Sequence, residues 1–243
     1  MRSTTRAAAF STIVFALASI VWFVLEGTPQ RLGFEDTDDP ALMVAFIQQH
    51  PEVFIQAGTM LIVMAASLTV AVLAVAQLVG SLLAPSSGAV GLRATSTFGL
   101  FAAAFFLFGG GVRIGSSGPL LHMAGLRPEW GEGAYLAAQV VSQAVLIGGI
   151  LALCLWAVGL SLIGLRTKAL PLPLCILGVL PAFRIVSSIL GALGLLPGDD
   201  ILWVLGMASI VGTVLWCLVL GLVLLRRGFG PTRARAGTAR ADI

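Results

Sequence analysis

Residues 51–83 read PEVFIQAGTMLIVMAASLTVAVLAVAQLVGSLL, thirty-three residues whose one charge is Glu52, at the second position. At 1.5 Å rise per residue, about 20 apolar residues cross the roughly 30 Å hydrocarbon core of a bilayer. This stretch is therefore read as a transmembrane helix, long enough to tilt or to extend past the membrane. Five more runs of the same kind lie on either side: Ala7 to Leu25, Ser96 to Ile114, Ala134 to Leu165, Leu172 to Leu195 and Ile201 to Leu225. The chain has 243 residues, 58% hydrophobic and 10% charged, with mean hydropathy +1.02. A soluble domain carries about a quarter charged residues. The expected fold class is all-α: a polytopic membrane protein built as a bundle of six transmembrane helices. Residues 1–225 form that domain, and residues 226–243 form a basic tail expected to be disordered. The first run is long, and Glu26-Gly27-Thr28 lacks a small-x-small cleavage site, so it reads as a span and not a signal peptide.

Loop charges set an orientation. Arg2, Arg6, Arg93, Arg166, Lys168, Arg226, Arg227, Arg233, Arg235 and Arg240 fall on one side of the six spans; Arg31 and Arg127 fall on the other. Cytoplasmic loops are the ones enriched in Lys and Arg. Both termini are thus expected in the cytoplasm, in agreement with an even number of spans, and the protein is expected to be multi-pass in the cell (inner) membrane. The tail is expected to be drawn to anionic lipid, each arginine contributing about 1 kcal/mol near the surface. It is short and has no stacking tyrosine or tryptophan, which argues against nucleic acid. Arginine makes up thirteen of the fourteen basic residues, a usage that, with abundant Ala, Gly and Leu, fits a GC-rich bacterial genome.

The longest outer loop runs from Glu26 to His50. Asp39-Pro40 reads as a helix start, an N-cap acid followed by proline at the first helical position. A short surface helix over Ala41 to Gln49, a lid or a packed connector, is expected. The run Glu35-Asp36-Thr37-Asp38-Asp39 lacks the full EF-hand pattern and reads as a solvated, capping loop. Ser116 to Gly133 reads as another outer loop, with Trp130 and Tyr135 suited to the membrane interface.

Within this apolar frame two segments echo each other: Arg113-Ile114-Gly115-Ser116-Ser117 and Arg184-Ile185-Val186-Ser187-Ser188. An ionised side chain at mid-membrane costs about 2.5–3.5 kcal/mol on insertion scales, so each arginine needs a partner or a route to water. Arg113 lies near the end of its span and can snorkel. Arg184 lies about ten residues, or roughly 15 Å, into its helix, behind Pro181. Arg184, Ser187 and Ser188 share a face by their spacing. Gln139 and Gln143 lie one turn apart, as do Glu52 and Gln56, and by depth all can meet in the outer half of the bundle. Glu52 reads as the carboxylate available to an arginine. The candidate ligand-binding set is therefore Arg184, Arg113, Gln139, Gln143, Ser187, Ser188, Glu52 and Gln56. Two arrangements fit it: a closed network that fixes helix packing, or an outward-facing pocket in which arginine holds an anionic or carbonyl-bearing ligand.

Other chemistry finds little support in the sequence. Gly115-Ser116-Ser117-Gly118 matches the GxSG pattern of rhomboid proteases, but the only later histidine is His122, in the adjoining loop. Neither His50 nor His122 lies inside a span, so paired haem ligation fails. Cys154, Cys175 and Cys217 read as buried small hydrophobes. No metal or cofactor is expected. Gly109-Gly110-Gly111 reads as a place of close helix packing or a bend.

The size, the helix spacing, the arginines Arg113 and Arg184 within mid-chain helices and the Arg226-Arg227 ending resemble a group of bacterial six-helix membrane proteins known only as a domain of unknown function. That resemblance implies the fold and brings no activity. Six helices, cytoplasmic termini and an outward site beneath loop lids also look like the substrate-binding subunits of energy-coupling-factor vitamin transporters; those carry a small-residue AxxxA pattern in helix 1, where this chain offers Ala7 and Ser11. The resulting expectation is a non-enzymatic membrane protein with an outward polar pocket for a small solute or lipid. The alternative is a structural or accessory subunit of a membrane complex, with a protein partner in the membrane.

Overall fold

The computed structural model describes residues 2–34, 36–81, 89–168, 170–192 and 199–229. The described residues are helical, without strands, and six stretches are long and apolar enough to span a membrane. Nine helices are seen among them: α1 (Arg2–Glu26), α2 (Thr28–Arg31), α3 (Pro40–Gln49), α4 (Pro51–Gly80), α5 (Ala89–Leu126), α6 (Pro128–Thr167), α7 (Leu172–Leu177), α8 (Ala182–Ala192) and α9 (Asp199–Phe229). In the bundle α1 lies between α9 and α4, and α5 between α4 and α6; α8 rests on α9 and α6. The expected boundary after residue 225 falls inside α9, while residues 230–243, most of the basic tail, lie outside the described residues.

Proline punctuates the chain. A residue before proline is pushed to extended backbone, and Arg127, before Pro128, has φ −152° and ψ 130°. That single residue separates α5 from α6. Asp39, before Pro40, is extended in the same way, and Pro40 and Pro51 fill the first turns of α3 and α4, where a missing N–H costs nothing. The fifth span, expected as one helix from Leu172 to Leu195, is instead two. Pro181 has no N–H to give, and the chain turns through residues 178–181 with tight bonds such as Val179 N to Ile176 O and Ala182 N to Val179 O. Residues 193–198 lie outside the described residues.

The expected outer loop from Ser116 to Gly133 is also corrected. α5 continues through Pro119 to Leu126, and α6 already begins at Pro128. Ser117, Leu120 and Ala124, spaced three and four apart, are buried and supply the apolar stripe that keeps this extension helical. Ser116 Oγ and Ser117 Oγ donate back to the carbonyls of Arg113 and Ile114, at 3.2 and 2.7 Å.

The main core runs between the long helices. Trp156 of α6 and Trp216 of α9 are fully buried and meet edge to face, ring centroids 5.2 Å apart. Several buried hydroxyls inside it are satisfied locally: Thr12 donates to Ala8 O, Ser19 to Phe15 O and Thr213 to Ser209 O, while Ser161 Oγ has no partner among the described residues. The three cysteines are buried and unpaired. Large apolar side chains such as Phe10, Phe101 and Phe108 are more than half exposed, as a lipid-facing surface requires.

A second, smaller core caps one end. Met43, Val44, Phe46 and Ile47 of α3 pack on Phe54, Leu120, Ala124 and Tyr135. The expected short helix is therefore present, and it is a packed lid. Asp39 starts it by accepting a hydrogen bond from Ala41 N at 2.9 Å, while Asp36 Oδ1 accepts one from Asp38 N at 3.1 Å. Asp39→Ala should remove about 1 kcal/mol of this helix's stability. Faster amide exchange over residues 41–49, with the long helices unchanged, is the expected reading.

Candidate functional site

Arg113 and Ser142 come together through the register of the α5–α6 hairpin. They lie 14 residues before and 15 residues after Arg127, where the chain reverses. Two antiparallel helices joined at that residue bring these positions level, roughly 20 Å from the tip at 1.5 Å per residue. Arg113 Nε donates to Ser142 Oγ at 3.4 Å. Both terminal nitrogens of Arg113 also donate to Glu26, Nη1 to Oε1 and Nη2 to Oε2, the latter at 3.1 Å. This is the two-pronged geometry in which guanidinium and carboxylate match best. Phe54 of α4 lies beneath the guanidinium, its ring centroid 5.7 Å from Cζ. One side chain on α5 thereby touches α1, α4 and α6.

Two expectations are corrected here. Arg113 does not snorkel to water: it is 4% exposed, about two-thirds of the way along a helix that continues to Leu126. Nor does Glu52 serve as the arginine's carboxylate; its side chain is 58% exposed and lies 3.5 Å from His50 Nδ1. Glu26 takes that part, its side chain 30% exposed at the last position of α1. A signal for it exists in the sequence. Glu26 and Arg113 each end an apolar run, and the alternation of spans puts both ends on one side.

Above this pair, between the bundle and the lid, lies a cavity of about 200 Å³. At about 30 Å³ per water, it has room for about seven waters. Glu26, Arg113 and Phe54 line it from below, Met43 and Phe46 from the lid, Gln30, Thr37 and Asp38 from the α1–α3 connection, and Tyr135, Gln139 and Gln143 from α6. Tyr135 is only 5% exposed, so it is a wall of the cavity and not an interfacial residue. Trp130 is half exposed, under the Arg127 guanidinium at 5.1 Å.

Three of the eight sequence candidates, Arg113, Gln139 and Gln143, therefore share one cavity. Glu52 and Gln56 are exposed on α4 and outside its lining. Arg184, Ser187 and Ser188 sit on α8 and do not line it either. Ser187 Oγ donates to Arg184 O at 3.1 Å. Arg184 itself is half-buried; its Nη1 abuts Gly206 of α9, and its Nε is buried without a hydrogen-bond partner among the described residues. The residues that sequence reasoning missed are Glu26, Ser142, Tyr135, Phe54 and the α3 lid side chains.

No family model, curated protein or solved structure matches the chain.

Proposed function

We propose that the chain is a non-enzymatic integral membrane protein that holds a small polar solute in the cavity beneath α3. The observation that carries this reading is the cavity itself: a polar opening that reaches a charged pair in a chain otherwise poor in charge. Intramembrane or near-membrane ionisable groups mark functional sites by default. The mixture of amides, a phenol, carboxylates and apolar side chains is that of a small-molecule site. The ten-to-two bias of basic residues supports an orientation with the α3 end outside and both termini in the cytoplasm, and the reading takes the membrane to be the cell (inner) membrane. The site then opens outward. On this reading the basic tail, most of it outside the described residues, would be drawn to anionic lipid of the cytoplasmic leaflet.

A second reading has its own support. Arg113 is satisfied by Glu26 and Ser142, so it ties α1, α5 and α6 together without any ligand. A structural or accessory subunit of a membrane complex would need no more than this.

Accessibility separates the two. In intact cells a membrane-impermeant thiol reagent should modify Gln139→Cys, with little background from the three buried native cysteines. Enlarging the neighbouring cavity residue in Ala57→Phe should slow that modification several-fold. A cysteine at position 139 that reacts only after denaturation would refute the outward pocket and leave the structural reading.

A further inference from the structure

The cavity's charge points to the class of solute, an inference that rests on the pocket reading above. Its described charged lining residues are Glu26, Asp38 and Arg113, one positive and two negative. The one cation is already committed. Its bidentate bond to Glu26 and its contact with Ser142 and Phe54 leave it a poor holder for an incoming anion, which would have to displace a carboxylate from a guanidinium 4% exposed. Asp38 remains, exposed at the rim. The net charge of the lining is −1, and the low-dielectric walls strengthen its field.

Tyr135 adds an independent pointer. It is 5% exposed and lines the cavity, and among the described residues its hydroxyl makes no hydrogen bond to protein. Arg113, Glu26 and Asp38 are the charged groups that act on it. A phenol whose ring is buried and whose hydroxyl opens to a cavity is free to bond a ligand or water. Tyr135 and Phe46 also give the space aromatic walls. Carboxylates, amide carbonyls and a phenol oxygen around an aromatic-walled cavity accept N–H donors and favour a positive charge.

We propose that this pocket binds a small organic ammonium ion, with Asp38 as its counter-charge, Tyr135 Oη as a hydrogen-bond partner and Glu26 held in place by Arg113.

The test pairs two probes of similar size and opposite charge, propylammonium chloride and sodium propionate, on the full-length protein in nanodiscs at constant ionic strength. Propylammonium should raise Tm and slow thiol modification of Gln139→Cys, and propionate should do neither. Asp38→Asn should weaken propylammonium binding about tenfold, or 1.4 kcal/mol. Tyr135→Phe, which keeps the ring, should weaken it less. Because Asp38 is exposed, Asp38→Asn is expected to fold normally, and its unliganded Tm checks this. The cation inference is overturned if propionate protects instead, if neither probe protects, or if Asp38→Asn binds propylammonium as the natural sequence does. Each of these results leaves a labelled position 139, and so the pocket, intact. An unlabelled position 139 overturns the pocket reading itself.

Discussion

Glu26→Ala should destabilise the protein by about 3 kcal/mol, the low end of the roughly 3–5 kcal/mol seen when one partner of a buried ion pair is removed. The size follows from which partner is stranded. Without Glu26, the Arg113 guanidinium, 4% exposed in the natural sequence, keeps its charge and loses its bidentate partner, leaving Ser142 and the Phe54 ring as its direct contacts among the described residues. The reverse change should cost less. Arg113→Met removes the deeply buried charge, and the Glu26 side chain it leaves is already 30% exposed and at a helix end, where water can reach it. The double variant Glu26→Gln with Arg113→Met should recover most of the loss, because a well-packed apolar replacement of a buried pair is often neutral. Thermal unfolding of the four proteins in one detergent tests the order: Glu26→Ala lowest, Arg113→Met intermediate, the double variant close to the natural sequence. Equal losses for the two single variants would mean that the pair is not asymmetrically buried.

Gly110→Ala should cost about 1–3 kcal/mol by forcing α4 and α5 apart. A Cβ at position 110 would stand 2.6 Å from Gly58 O and 3.1 Å from Leu61 Cβ. The obstacle at Gly58 is backbone, which cannot swing aside as a side chain can. Gly58 faces the same crossing, where its own Cβ would meet Gly110 O at 3.1 Å. Gly111→Ala is the control. Nothing lies within 4 Å of a Cβ there, so it should be neutral or stabilising by up to about 1 kcal/mol through helix propensity. Unfolding curves for the two variants, one residue apart, give a difference of sign that composition could not predict. The crossing lies one turn from Arg113, so Gly110→Ala should also shift the floor of the cavity and alter thiol reactivity at position 139.

The triplet Gly109-Gly110-Gly111 illustrates how far the sequence could be read. Three small residues in an apolar run announce close packing, but which of them meets a neighbour depends on the rotation of α5 against α4. The same holds for the echoed arginine segments. Sequence marks Arg113 and Arg184 as costly, and it makes the deeper one, Arg184, look like the centre of a site. The fold assigns the opposite weights. α5 runs 13 residues past Arg113 in place of ending beside it, so Arg113 is enclosed by α1, α4 and α6. The fifth span breaks at Pro181, and α8 leaves Arg184 against α9, outside the cavity's lining. Helix continuation past Ser116 was hidden because serine, glycine and proline read locally as a loop. The buried stripe of Ser117, Leu120 and Ala124 only gains its meaning once the α3 lid is packed on it.

Sequence by itself determined that this chain holds six apolar, membrane-length stretches, and that Asp39-Pro40 starts a short helix between the first two. These are properties of composition and of backbone sterics one residue away. Only the tertiary structure decided that Glu26 and Arg113, 87 residues apart, are partners, that Tyr135 faces a cavity and not the interface, and that Arg184 stands outside it. The reason is physical: hydrophobicity sets how long each helix is and in which medium it lies, but not its rotation about its own axis. That rotation is chosen by packing, and it decides which polar groups meet.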